Sequence, residues 1–256
     1  MITGVQMVLC LALLTQTGEL SLSTRLDQLD DASYAIRQQV TEQLMQETQL
    51  TDDQLNKLFH QAQTPEQRYR LEEIAMHRCL KAWISQVENY SNQPGSIGIQ
   101  LAEVKPISQP LLESGGVMVQ DTLPGMPAHE VLRAGDVIIE VNQQQLVAAS
   151  DKQGIDASFK NLVQAHRAGT MIEFKVIRDK QPITVSLSTA PAPALGKLYE
   201  TKRVGSQASI SLSKFARDLW QKRMIELFKQ PQPKNAKDSE LSATPISIQW
   251  HANASQ

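Results

Sequence analysis

The spacing of apolar residues changes near residue 90. From Leu22 to Val87 there is no glycine and a single proline, Pro65, and apolar side chains recur at helical intervals among Gln, Glu, Leu and Ala. Asp30-Asp31-Ala32-Ser33 can cap a helix carrying Tyr34, Ile36, Val40, Leu44 and Met45. Thr51-Asp52-Asp53-Gln54 has the form of a capping box before Leu55, Leu58 and Phe59. Thr64-Pro65-Glu66-Gln67 opens a third helix, with Leu71, Ile74, Ala75, Cys79, Leu80 and Trp83 near one face. A helical unit is therefore expected over 22–88. Too small to bury its apolar faces alone, it should lean on a neighbour.

After the loop signal from Asn89 to Gly95, apolar and polar residues alternate. Five strands are expected: Ile97–Val104, Gly116–Gln120, Asp136–Asn142, Met171–Arg178 and Ile183–Ser188. An amphipathic helix from Ala157 to Ala168, ended by Gly169, and a short turn from Pro127 to Leu132 interrupt them. This unit covers 94–190. Beyond Thr189, Ala190-Pro191-Ala192-Pro193-Ala194 reads as the start of a semi-rigid linker over 191–212. An amphipathic helix follows over 213–229, with Phe215, Leu219, Trp220, Met224 and Leu227 on one side and Lys214, Arg217, Lys222 and Arg223 on the other. It suits packing on the protein's own helices or on a partner, and, as a second reading, weak contact with an anionic membrane surface. The tail 230–256, rich in Pro, Ser, Lys and Gln, reads as disordered.

The run Met7–Leu14 is too short to span a bilayer and suits the apolar region of a signal segment over 1–18, although Met1 to Gln6 contains no Lys or Arg. Export to the periplasm or the extracellular space is expected. A cytoplasmic location follows if the segment is instead a first buried helix.

Charge and chemistry narrow the function. Among 256 residues, 25 Lys+Arg against 27 Asp+Glu leave a net charge of −2, with no basic excess for nucleic acid. Two cysteines, Cys10 and Cys79, cannot build a disulfide scaffold or a four-thiolate zinc site. The five histidines, at 60, 77, 129, 166 and 251, are dispersed, and no nucleophile elbow, His-Glu-x-x-His pair or Walker loop occurs. No catalytic residue, metal ligand or cofactor is assigned.

Two resemblances complete the reading. Leu29–Arg37 followed by Thr64–Leu71, with Arg37 and Arg68 or Arg70, resembles one HEAT-like helical repeat. Leu132-Arg-Ala-Gly-Asp-Val-Ile-Ile-Glu-Val-Asn142 matches each fixed position of the phrase L-x-x-G-D-x-I-x-x-V-N. With Gly115–Val119, Pro124–Ala128 and Ala168–Asp179, it resembles a PDZ domain of the bacterial type found in HtrA-like and carboxy-terminal processing proteases, over about Gly95 to Thr189.

The resemblance implies an α+β multidomain chain: a helical unit, then five to six strands in a partly open barrel with two helices, then a C-terminal helix. It also implies that a peptide pairs with the strand starting at Ser96-Ile97-Gly98-Ile99-Gln100, facing Ser158, Leu162 and Ala165 of the helix. The amides near Gly98 would take the peptide's terminal carboxylate, and Ile97, Ile99 and Leu162 would enclose its last, apolar side chain. The family's basic residue before this loop is absent, and Ser158 stands where a histidine would select a hydroxyl. The expected function is a non-enzymatic adaptor for peptide or protein C-termini. The alternative is a non-catalytic accessory or substrate-presenting subunit of a separate protease.

Overall fold

A computed structural model describes residues 21–87, 92–104, 115–147, 154–204 and 207–229. The expected signal segment and disordered tail lie outside the described residues.

Four helices open the described chain: α1 (Leu22–Gln28), α2 (Tyr34–Gln46), α3 (Asp52–Gln61) and α4 (Pro65–Ser85). The expected capping box at Thr51 forms, and the Pro65 start adds a second at Thr64: Thr51 and Thr64 accept from the Gln54 and Gln67 amides while those glutamines return bonds to the threonine amides. Leu26, Leu29, Leu44, Leu55, Leu58, Leu71 and Ile74 make the core of this unit. It is completed from the far end of the chain by α7 (Lys214–Leu227), whose Trp220 and Leu227 enter the same cluster. Just past α7, the Phe228 ring stacks on Phe59 with centroids 3.9 Å apart.

This packing corrects the membrane-surface reading of 213–229. Trp220, the residue best suited to an interface, is only 8% exposed and already lies against the helices. The linker expected over 191–212 is also corrected. It carries the end of β8 (Ala190–Pro191), then α6 (Ala192–Leu198) and a hairpin of β9 (Tyr199–Val204) and β10 (Gln207–Leu212). The alternating Ala-Pro run suggested an extended spacer, but Pro191 is an N-cap and Pro193 lies in the first turn of α6, where a missing N–H is harmless. Leu198 and Tyr199 then bury against Leu80 and Ile84 of α4.

The remaining strands are β1 (Gly95–Ser96), β2 (Ile99–Val104), β3 (Gly116–Thr122), β4 (Val137–Val141), β5 (Gln144–Gln145), β6 (Met171–Arg178) and β7 (Gln181–Ser188). An antiparallel sheet runs β2-β3-β4-β6-β7, with β5 on β4 and β1 paired separately to β8. The inward residues Val117, Val119, Ile138, Val141, Ile172, Phe174 and Val176 pack against Ile155, Phe159 and Val163 of α5 (Ile155–Gln164). The expected helix ran to Ala168, but α5 stops at Gln164. Gly169, at φ +83°, lies in the turn that returns the chain to β6, where its N–H donates to the Thr189 carbonyl.

The Gly-Asp phrase has a structural cause. Gly135 turns at φ +93°, and the buried Asp136 carboxylate takes Arg178 through two bonds, Nε to Oδ1 at 2.8 Å and Nη2 to Oδ2 at 2.7 Å. Its Oδ2 also accepts from the Arg133 amide. This pairing fixes the start of β4 to the end of β6.

Candidate functional site

Among the described residues, β2 pairs with β3 and leaves its other edge without a strand. Such an edge presents a row of backbone donors and acceptors at about 3.3 Å per residue. Helix α5 packs beside β1 and β2. Two contacts set its direction. The Gly95 amide donates to the carbonyl of His166, just past the helix C-terminus, at 2.6 Å. At the other end the Glu103 carboxylate lies against Gly154, the N-cap, so closely that a Cβ there would sit 2.5 Å from Oε2. Helix α5 therefore runs antiparallel to β2, and between them lies a groove whose one end is the turn Ser96–Gly98.

That turn is built to show amides. The Ile97 carbonyl accepts from the Ala128 amide and the Gly98 carbonyl from the Leu123 amide, both at 3.0 Å. The N–H groups of Ile97 and Gly98 bond no other described residue. Gly98 sits at φ +73°, and a Cβ on it would fall 2.1 Å from the Met126 Cβ, so no other residue fits without moving the buried Met126. Unbonded successive amides around a left-handed residue form a concavity suited to an anion.

The groove walls are apolar. Ile99 and Leu101 of β2 and Leu162 of α5 are half-buried and pack on the sheet core, leaving part of each side chain for a visitor. Ser158 and Ala165 share the Leu162 face, half-buried and exposed respectively. Two expected residues are placed differently from the rest. Ile97 is 2% exposed and belongs to the core, so its amide rather than its side chain borders the groove. The Gln100 side chain reaches over to Gln120 of β3, donating to its Oε1 at 3.4 Å, and so is engaged on the sheet. Ser96 pairs with Ala190 in the short β1–β8 ladder. A register shift between Gln100 and Leu101 marks a bulge in β2.

Leu101 was missed, although it continues the spacing of Ile97 and Ile99. So were the residues behind the turn. Met126 lies in the Pro124–Ala128 run, and the preceding Gly125 amide donates to His77 Nδ1 on α4 at 2.9 Å. Burial pushes the His77 imidazole below the ordinary histidine range. Burial, then the neighbouring His77, takes His129 down to about 3. No pattern in the sequence links His77 to a glycine 48 residues away.

Among the described residues, then, a sheet edge without a partner strand lies beside a helix and ends at a turn whose Ile97 and Gly98 amides bond no other described residue. Residues 95–189 match the family model described as PDZ domain, and this segment of the chain is a PDZ domain. No curated protein sequence matches the chain. Among solved structures it is similar to the HtrA-type protease AlgW with a decapeptide, at 24% identity and a TM-score of 0.32, over 49% of this chain and 35% of that one. A substituted form of that protease with a tripeptide gives 28% identity and a TM-score of 0.30, over 40% and 33%. An aminopeptidase N family protein from Idiomarina loihiensis gives 18% and 0.30, over 50% and 17%. The chain thus spans about a third or less of the length of these structures.

Proposed function

We propose that the chain is a peptide-binding adaptor whose groove takes the C-terminal segment of a partner protein as a strand antiparallel to β2. The observation that carries this is the β2 edge that has no partner strand among the described residues and adjoins the Ile97 and Gly98 amides, which bond no other described residue. The six residues of β2 offer an edge of about 20 Å, enough for five or six ligand residues. The terminal carboxylate meets the turn, and the last side chain, Val, Leu, Ile or Phe, enters between Ile99 and Leu162. The reading assigns binding and no turnover. Its support for an exported setting is the apolar run Met7–Leu14; among the described residues no helix is long and apolar enough to cross a membrane.

The test is a selection from a random C-terminal peptide library, followed by titration of the selected free-acid peptide. Leu162→Asp places a carboxylate in the apolar wall without a partner, at a cost of about 1–3 kcal/mol in a half-open site. Binding should weaken roughly tenfold to hundredfold while the sheet stays folded. Unchanged affinity in folded Leu162→Asp would remove the groove assignment.

A further inference from the structure

We propose that His77 is a positioning residue of the peptide site: as a neutral imidazole it anchors the Leu123–Met126 turn behind Gly98, and protonating it releases that turn and weakens peptide binding. The inference rests on the groove reading above, and its test separates the two.

The side chain of His77 is fully buried on α4, and both ring nitrogens are engaged. Nδ1 accepts from the Gly125 amide at 2.9 Å, so it carries a lone pair. Nε2 lies 2.8 Å from Glu130 Oε1 and donates to it. That fixes the tautomer, and the one position left for a second proton is the lone pair that holds Gly125. A proton there puts two donors face to face.

The turn beyond Gly125 reaches the site within a few residues. Gly125, at φ +82°, lies so close to α4 that a Cβ would fall 2.4 Å from Leu80 Cβ. Met126, fully buried, fills the space behind Gly98, and the Leu123 amide bonds the Gly98 carbonyl. The α4 helix is thereby connected through Gly125, Met126 and Leu123 to the Ile97–Gly98 turn that ends the groove.

The surrounding charges decide how His77 responds. From its own helix come Glu73, Arg78 and Lys81; from the 3-10 turn Pro127–Glu130 come His129 and Glu130; and Asp121 and Thr122 of β3 lie beyond. Glu130 favours the charged ring but is shared with Lys81. Burial is the largest effect and opposes it, as do Lys81 and Arg78. The His129 ring is stacked at 5.2 Å; its Nδ1 is 2.9 Å from Thr122 Oγ1, and its Nε2 has no hydrogen bond, with Glu73 at 3.6 Å. A second imidazolium against the first is disfavoured.

The anchored turn therefore keeps His77 neutral, whereas a released turn frees the Nδ1 lone pair for a proton. As pH falls, the ratio of anchored to released falls with it, by up to about tenfold per pH unit.

The experiment titrates the library-selected free-acid peptide, fluorescently labelled, into the full chain from pH 8.0 to 5.5. For the native chain Kd should stay level at the alkaline end and rise by no more than severalfold by pH 5.5, since only the loss of the anchored fraction weakens binding. His77→Asn keeps an acceptor near the Nδ1 position and cannot titrate, so its affinity at pH 7.5 should be near native and its profile flat. His77→Leu removes the acceptor and should bind more weakly at every pH. Circular dichroism and thermal unfolding accompany each variant, and if His77→Leu does not fold, the asparagine variant alone carries the test. A flat native profile, or a pH dependence retained in His77→Asn, overturns the role of His77. Absence of binding by the native chain at pH 8.0 would instead overturn the groove reading.

Discussion

Gly98 is where a single methyl group would be felt most. Its φ of +73° and the 2.1 Å approach to Met126 add backbone strain to overpacking, and each effect costs on the order of 1–3 kcal/mol. Gly98→Ala should lose about 3 kcal/mol in urea unfolding and lose peptide binding with it. The opposite sign is expected in the turn joining β6 to β7. There Asp179 and Lys180 hold φ of 51° and 65°, the geometry of a two-residue hairpin that favours glycine. Lys180→Gly should stabilise the protein by about 0.5–1 kcal/mol, read from the same unfolding curves. At this scale the sequence was legible where a residue type answers a backbone demand, as at Gly98 with its positive φ. It was not legible where exposure decides the role. Ile97 and Ile99 have the same side chain two residues apart, yet one is buried in the core and the other only half-buried beside it, and only the turn at Gly98 separates them.

The elements followed from periodicity and capping wherever the determinants were local. Thr51 and Thr64 start α3 and α4 at the residues expected of them, because a capping box is decided within four residues. The run 191–212 was misread for the converse reason. Pro191 and Pro193 are as compatible with a helix start as with an extended spacer, and the choice falls to the distant partners Leu80, Ile84 and Met126 that bury Leu198 and Tyr199. Helix α7 shows the same dependence, since its apolar stripe fits a membrane surface or a core equally well until α3 and α4 are in place. Trp220→Ala should cost about 3 kcal/mol through the cavity it leaves among those helices. The full chain should not co-sediment with phosphatidylglycerol vesicles; firm binding at moderate salt would mean that α7 leaves its site.

For the whole molecule, the helical unit leans on its neighbour as its small size led one to expect, but the residues of the shared boundary were not legible in either sequence pattern. Arg133 and Glu42 form a paired bridge with both bonds at 2.9 Å, and Leu123, Met126 and Ala190 are buried together with residues of α4, α6 and α7. The segment 93–191 contains the complete sheet core and should unfold cooperatively by itself. Those three side chains would then be newly exposed, so its Tm should fall below that of the full chain.

Acid should weaken the assembled chain. The folded value of His129, about 3, lies below the unfolded 6.5, so an unfolded chain takes up a proton that the folded one refuses. The stabilisation is complete above about pH 6.5 and is lost as pH falls towards 3, by up to about 1.4 kcal/mol per unit. Urea unfolding at pH 7.5, 6.5 and 5.5 should show that decline, with a shallower one in His129→Asn.

The central claim is that the free edge of β2 and the amides of Ile97 and Gly98 capture a chain terminus. Its most direct test is a paired titration of the selected hydrophobic-ended peptide as the free acid and as the C-terminal amide, at pH 7.5. Charge-assisted hydrogen bonds to the carboxylate contribute about 1.5–3 kcal/mol in favourable sites. No lysine or arginine lies within 92–98 to add to them, so the lower end applies. The amide should bind roughly tenfold more weakly than the acid. Equal affinity for the two forms would contradict the account, because the turn at Gly98 would then have no part in recognition.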